Sequence, residues 1–220
     1  MSDNDVLFWR MFALFQCLPE IAPAEILNWV SGESVDSLTP AYLAALELRT
    51  LESTFPSTVA MMSPARWRRV MGILGGELPP HLQVQASPRR RPQLLTAFCS
   101  LDGQAINGHF GQCRLFFIYG FDDQGSWLHD LRRYPSAPQQ KEANEVRAVL
   151  LHDCHLMFCE AVGGPAAARL IRHNIHPMKV MPGHTIAAQC QDIRTLLAGR
   201  LPPWLAKRLE RANPLEARVF

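Results

Sequence analysis

The segment Ile106-Asn107-Gly108-His109-Phe110-Gly111-Gln112-Cys113 concentrates the side chains best suited to chemistry in this 220-residue chain. Glycines on both sides of His109-Phe110 permit unusual backbone angles and leave the imidazole little steric cover. A neutral imidazole is a competent ligand for iron and other transition metals, which makes His109 the leading metal-ligand candidate. Cys113, four residues on, is a possible companion ligand. The same two residues also fit a bland description, a surface histidine beside a turn and a free cysteine buried at the start of a strand.

A second polar constellation follows Gly163-Gly164-Pro165. Proline in a first helical turn leaves neighbouring backbone N–H groups free to face an anion. Arg169, Arg172 and His173 come next at spacings that share a helical face, with His176 and Lys179 as extensions. The competing reading is a solvated face opposite Ala167, Leu170 and Ile171. His155, Met157 and Cys159 share one face of an apolar strand, with Cys154 on the other, and this stripe reads as core, as does Cys99. The chain has no Cys-x2-Cys series that could build or permanently hold a four-cysteine cluster, so a metallocluster would have to dock preassembled on one or two ligands. Few protein bonds would ease its release, which suits a carrier.

These residues need elements to hold them. Helical spacing of Val6, Leu7, Met11, Leu14 and Phe15, then of Ile26, Leu27 and Val30, predicts a small helical domain over residues 1–75. Thr39-Pro40 and Ser63-Pro64 are helix starts, each a capping residue followed by proline at the first helical position. Gly75-Gly76, Pro79-Pro80 and Pro88-Arg89-Arg90-Arg91-Pro92 predict a linker over 76–93. Strands are predicted at 94–99, 115–119, 127–134, 154–159 and 176–181, and helices at 139–152, 165–173 and 185–198. Three strands in succession predict a meander, and the whole order an α/β sandwich with a mixed sheet over 94–200. Residues 201–220 read as a C-terminal helical extension starting at Pro202.

Composition narrows the function classes. Nearly half the residues are hydrophobic and 19% are charged, as expected for folded domains. Residues 1–75 carry five Lys/Arg against eight Asp/Glu, whereas 94–220 carry fourteen against eleven, an excess that favours a compact anion and is too small to demand nucleic acid. The acidic start Met1-Ser2-Asp3-Asn4-Asp5 lacks the pattern of a secretory signal, no apolar run reaches the roughly 20 residues of a membrane span, and six scattered cysteines fit reduced thiols. The expectation is a cytoplasmic protein. No Gly-x-Gly-x-x-Gly or Walker-type loop is present. A nuclease would need several carboxylates around two divalent ions. The first strand supplies none within it, only Asp102 just beyond, the other acids Asp122, Asp123, Asp130 and Asp153 fall in loops or helices, and no nucleophile is marked, so the expectation is a protein that is not an enzyme.

The stretch Asn107-Gly108-His109-Phe110-Gly111, followed in order by Asp153-Cys154 and Gly163-Gly164-Pro165-Ala166-Ala167-Ala168-Arg169-Leu170, resembles the paired motifs of the dinitrogenase iron-molybdenum cofactor-binding family of nitrogenase accessory proteins. The resemblance covers roughly residues 94–200. It implies a ribonuclease-H-like α/β fold and a loop in which His109 helps to bind iron-molybdenum cofactor or its iron-sulfur precursor. It further implies association with apodinitrogenase, the molybdenum-iron protein lacking its cofactor, with residues 1–75 as the docking domain. Two alternatives remain open: a chaperone of apodinitrogenase that binds no cluster, and a metal-dependent nuclease of ribonuclease-H-like fold.

Overall fold

A computed structural model describes residues 2–32, 37–56, 62–85, 92–135, 142–199 and 201–212. The arginine run at 89–91 and the end of the chain after 212 lie outside them. The chain divides between Gln83 and Val84 into two compact units.

Within the first unit the described elements are five α-helices, α1 (Asp3–Cys17), α2 (Pro23–Ser31), α3 (Pro40–Ala44), α4 (Leu48–Ser53) and α5 (Pro64–Gly75), and a 3-10 turn at Pro80–Leu82. Ser2 and Asp5 form a reciprocal cap at the start of α1. Thr39 Oγ1 accepts from Tyr42 N and Ser63 Oγ from Arg66 N, the caps that the Thr-Pro and Ser-Pro pairs predict. Arg10 donates from Nη1 to the carbonyls of Pro40 and Leu74, tying α1 to the ends of α3 and α5. Gly76, at φ +105, ends α5 in the left-handed conformation directly against that guanidinium. Trp9, which the apolar spacing did not single out, is the largest fully buried side chain here.

The second unit contains strands β1 (Leu94–Cys99), β2 (Leu115–Phe121), β3 (Ser126–Arg133), β4 (Leu156–Cys159) and β5 (His176–Lys179). Its helices are α6 (Ala143–Leu150), α7 (Gly164–Arg172), α8 (Ile186–Ala198) and α9 (Pro203–Ala212). The sheet order is β3-β2-β1-β4-β5. The first three strands form the expected antiparallel meander, and β4 and β5 join parallel, so the sheet is mixed. One face packs Ala97, Cys99, Phe116, Ile118, Met157 and Cys159 against Ala148 and Leu151 at the α6 end and Ala166 and Leu170 of α7. The other presents Phe98, stacked on Phe158 and edge-on to Tyr119, on the side where α8 brings Cys190 against Ser126. Burial on both faces is why β4 reads as an uninterrupted apolar run.

Boundaries differ from sequence expectation where turns intervene. Cys154 N donates to Leu151 O, so a turn consumes residues 151–154 and β4 begins at Leu156. Pro182-Gly183, with Gly183 at φ +83, stops β5 two residues early. Among the described residues no helix is long and apolar enough to cross a membrane.

Candidate functional site

β1 is the strand at which pairing changes from antiparallel to parallel, and the loop leaving its carboxyl end carries His109. Open α/β sheets characteristically place ligands at such an edge. Backbone bonds tie the loop's second half to the sheet. Gly108 N donates to Cys99 O at 3.1 Å, Glu160 N to Gly108 O at 3.1 Å, and Phe110 N to Ala161 O at 2.9 Å. These join His109 to Ala161 as a parallel bridge just beyond the end of β4. Gln112 N and Cys113 N then both donate to His109 O, closing a turn. The His109 side chain is exposed, while Gly108 and Phe110 on either side are buried.

The first half of the loop is organised by Asp102, which the sequence reading considered only as a nuclease acid. Its Oδ1 accepts from Gln104 N at 2.7 Å, Ala105 N at 2.8 Å and Ser100 Oγ at 3.1 Å, and its Oδ2 accepts from Asn107 Nδ2 at 3.2 Å. The visible signal was Ser100-Leu101-Asp102-Gly103, an Asp-Gly turn whose side chains bond the backbone ahead of them. Burial pushes this carboxyl up, but the four donors outweigh it and hold Asp102 below the usual carboxylate range. A group that titrates lower when folded contributes fully above the ordinary pKa of about 3.9, and that contribution is lost as pH falls through the folded value. Asp102→Ala is therefore expected to lower stability by about 1–3 kcal/mol at neutral pH, the cost of stranding its donors. In paired thermal melts the gap from wild type should close on acidification; a gap independent of pH would remove the carboxylate from this role.

Several expected site residues take other places. Asn107 faces the loop rather than a ligand: Oδ1 accepts from Leu101 N at 2.8 Å while Nδ2 serves Asp102. Phe110 is 0% exposed and packs on Phe116, so it anchors the turn from beneath and touches nothing outside the protein. Gly108 is required by close packing, since a Cβ there would lie 3.0 Å from both Cys113 Sγ and Cys99 Cβ. Gly111 is exposed beside His109. Cys113 does not join His109, because its thiol points inward to the core shared with Cys99 and Cys159, with Sγ 3.0 Å from Leu115 O. A hydrogen bond from the Cys99 thiol draws the Cys113 thiol down against the push of burial, which itself holds Cys99 well above its ordinary value.

The basic face on α7 is also rearranged. Arg169 pairs with Glu142 and Glu145 at the start of α6, and His173 Nε2 lies 2.8 Å from Glu145 Oε1. These contacts fix α7 to α6. Arg172 is exposed, but it closes the last turn of α7, about 12 Å along the helix from Gly164 at 1.5 Å per residue, so Arg172 and His173 stand at the opposite end of α7 from Ala161, the residue that bonds the His109 turn. The start of α7 is the end that lies close: it follows Ala161 by three residues, and Gly163 and Gly164 open onto empty space. His176 stacks on Trp204 of α9 at 4.6 Å, and Lys179 is exposed at the carboxyl end of β5. Met157, Cys159 and Cys99 are core as expected, whereas Cys154, expected on the opposite face, sits in the turn before β4 and joins the same core, and His155 Nδ1 accepts from Leu95 N.

The acids a nuclease would need are engaged elsewhere. Asp122 caps its own turn, and Asp130 and Asp153 hold Arg132. Among the described residues no three His, Cys, Asp or Glu side chains form a group able to hold a metal ion. What remains is an exposed imidazole on a hydrogen-bonded turn, with the start of α7 three residues beyond its bridge partner Ala161.

The profile of a family described as dinitrogenase iron-molybdenum cofactor matches residues 92–212. The chain is 66% identical over 209 residues to Protein NifY of Klebsiella pneumoniae, covering 95% of this chain and 91% of that protein. It is 28% identical to Protein NifY of Azotobacter vinelandii, covering 81% and 77% respectively. Protein NifX of Sinorhizobium fredii is 31% identical over 149 residues, covering 62% of this chain and 90% of the relative.

Proposed function

The chain belongs to the dinitrogenase iron-molybdenum cofactor family, and from that membership we propose that it is a cytoplasmic nitrogenase accessory protein that binds iron-molybdenum cofactor, or an iron-sulfur precursor of it, as cargo. The observation that carries this reading is the exposed His109 imidazole held between two buried neighbours, Gly108 and Phe110, at the carboxyl edge of the sheet. The hydrogen-bonded turn presents the ligand already folded, which lowers the cost of ordering it on capture. The N–H groups of the first turn of α7, which begins three residues after Ala161, are a source of positive potential for the cluster's negative charge.

The protein acts stoichiometrically in this reading. Imidazole nitrogen takes a coordination position on the cargo, the loop orients it, and a single protein ligand leaves the bond easy to exchange for the acceptor's own ligands. The acceptor is apodinitrogenase, docked through the helical domain over residues 1–75, which lies within the first compact unit. The strand order, with its antiparallel meander followed by parallel β4 and β5, supports classing the second unit as ribonuclease-H-like.

Anaerobic gel filtration with isolated cofactor tests the cargo half: iron and molybdenum should co-elute with the full chain, and their absence from the protein peak would leave apodinitrogenase docking as the function. A chain lacking residues 1–75 should retain the metals and lose apodinitrogenase in a pull-down. Undiminished pull-down would refute the division of labour.

A further inference from the structure

Cys99 is the last residue of β1 and Cys113 stands two residues before β2, so the two cysteines bracket the loop that carries His109. They converge beneath it. The point where a Gly108 Cβ would sit lies 3.0 Å from Cys113 Sγ and 3.0 Å from Cys99 Cβ, and both side chains belong to one buried cluster. We propose that Cys99 and Cys113 are an oxidisable dithiol, a modification site that a hydroperoxide closes to a disulfide across the two ends of this loop.

The partner choice follows from geometry. Cys159 also lies in this sulfur-rich core, as does Met157, whose Sδ is 3.5 Å from Cys99 Sγ. Cys159 follows the pair Phe98–Phe158 on the neighbouring parallel strand, however. Hydrogen-bonded strands stand about 4.8 Å apart, while a disulfide needs its Cβ atoms about 3.8 Å apart, so Cys99 cannot bridge to Cys159 without distorting the sheet. Cys113 sits outside the strands, where the backbone can adjust. Arg147 completes the environment. It is buried, donates from Nε to Cys113 O at 2.9 Å, packs over the Tyr134 ring, and has an Nη1 without a hydrogen-bond partner among the described residues. A buried cation beside the pair stabilises negative charge carried by sulfur during displacement.

Both thiols are covered, but the cover is a surface turn whose His109, Gly111 and Gln112 are exposed, and such segments open locally at far less cost than the whole fold. The Cys113 sulfur attacks the peroxide, the O–O bond breaks, and an alcohol or water leaves, giving a sulfenic acid. The Cys99 sulfur then attacks that sulfur, the S–O bond breaks, and a second water carries away the oxygen. The two thiols lose two electrons and two protons in all, and the peroxide is reduced. Cys113 N donates to His109 O, so closure moves the turn that aims the imidazole. The effect on cargo rests on the cofactor reading above, whereas the thiol chemistry does not.

Peptide mapping of the full, cluster-free, reduced chain tests the proposal after hydrogen peroxide treatment and alkylation of remaining thiols. Both cysteines fall in one tryptic peptide ending at Arg114, because no Lys or Arg lies between them. That peptide should appear lighter by two hydrogens and unalkylated, and dithiothreitol should restore it; in Cys113→Ser, Cys99 should stay alkylatable. A doubly alkylated peptide under conditions that oxidise the half-exposed Cys17, or a cross-link to the peptide holding Cys159, would overturn it. With peroxide removed, the closed form should retain several-fold less cofactor than the re-reduced form. Equal loading would overturn the link to the loop, and no loading by either form would count against the cofactor reading alone, since the peptide mass decides the dithiol.

Discussion

His109→Ala is expected to lose cofactor from the protein peak in anaerobic gel filtration while leaving the thermal unfolding midpoint within about a degree or two of wild type, the behaviour of a surface substitution. The imidazole is exposed, and the bonds that hold residue 109 in place are backbone bonds to Ala161, Gln112 and Cys113, which alanine retains. Loss of a partner that merely supports a metal ligand typically costs about 10–100-fold in metal affinity, so removal of the ligand itself should cost at least as much. Iron and molybdenum retained at wild-type level by a folded His109→Ala protein would move the cargo site away from this loop.

Phe110→Ala should behave in the opposite way. The ring is fully buried against Phe116 within the core between the sheet and α6–α7. Phenylalanine truncation at such a position costs about 3–5 kcal/mol, a large part of a domain's usual stability of about 5–15 kcal/mol. Denaturant unfolding of the second unit should show that loss, and the turn should exchange its amide hydrogens faster. Cofactor retention would fall as well, but only because the loop is no longer held. Phe110→Leu, which refills most of the space, should recover both. A cost below about 1 kcal/mol for the alanine variant would mean that the ring does not anchor the turn. The two neighbours would then report separately on ligand and support.

Much of this fold was legible along the chain. β1 was read at its observed bounds, β2, β3 and α8 to within two residues, because strand alternation and helix spacing are local signals that turns punctuate. The prominence of the loop 106–113 was legible too, since glycine flanks and polar residues between two apolar strands are also local. The functions of its members were not. Asn107 could be aimed at Leu101 and Asp102 only once the loop had folded back on itself, and whether Cys113 faced His109 or Cys99 depended on which side of the turn met the core.

The basic stripe on α7 failed for a related reason. Helical spacing correctly places Arg169, Arg172 and His173 near one another, but Glu142 and Glu145 lie more than twenty residues earlier and reach them only because α6 packs beside α7. Ala161, which bonds the His109 turn, and Arg147, buried beside the thiol pair, carry no sequence signal, since an alanine after a strand and an arginine on a helix are ordinary. The sequence by itself determined the order of elements, the mixed sheet and the exposure of one histidine, because each depends on residues close along the chain. Only the tertiary structure decided which neighbours of His109 face a ligand and which face the core, because that choice is made by contacts between distant segments.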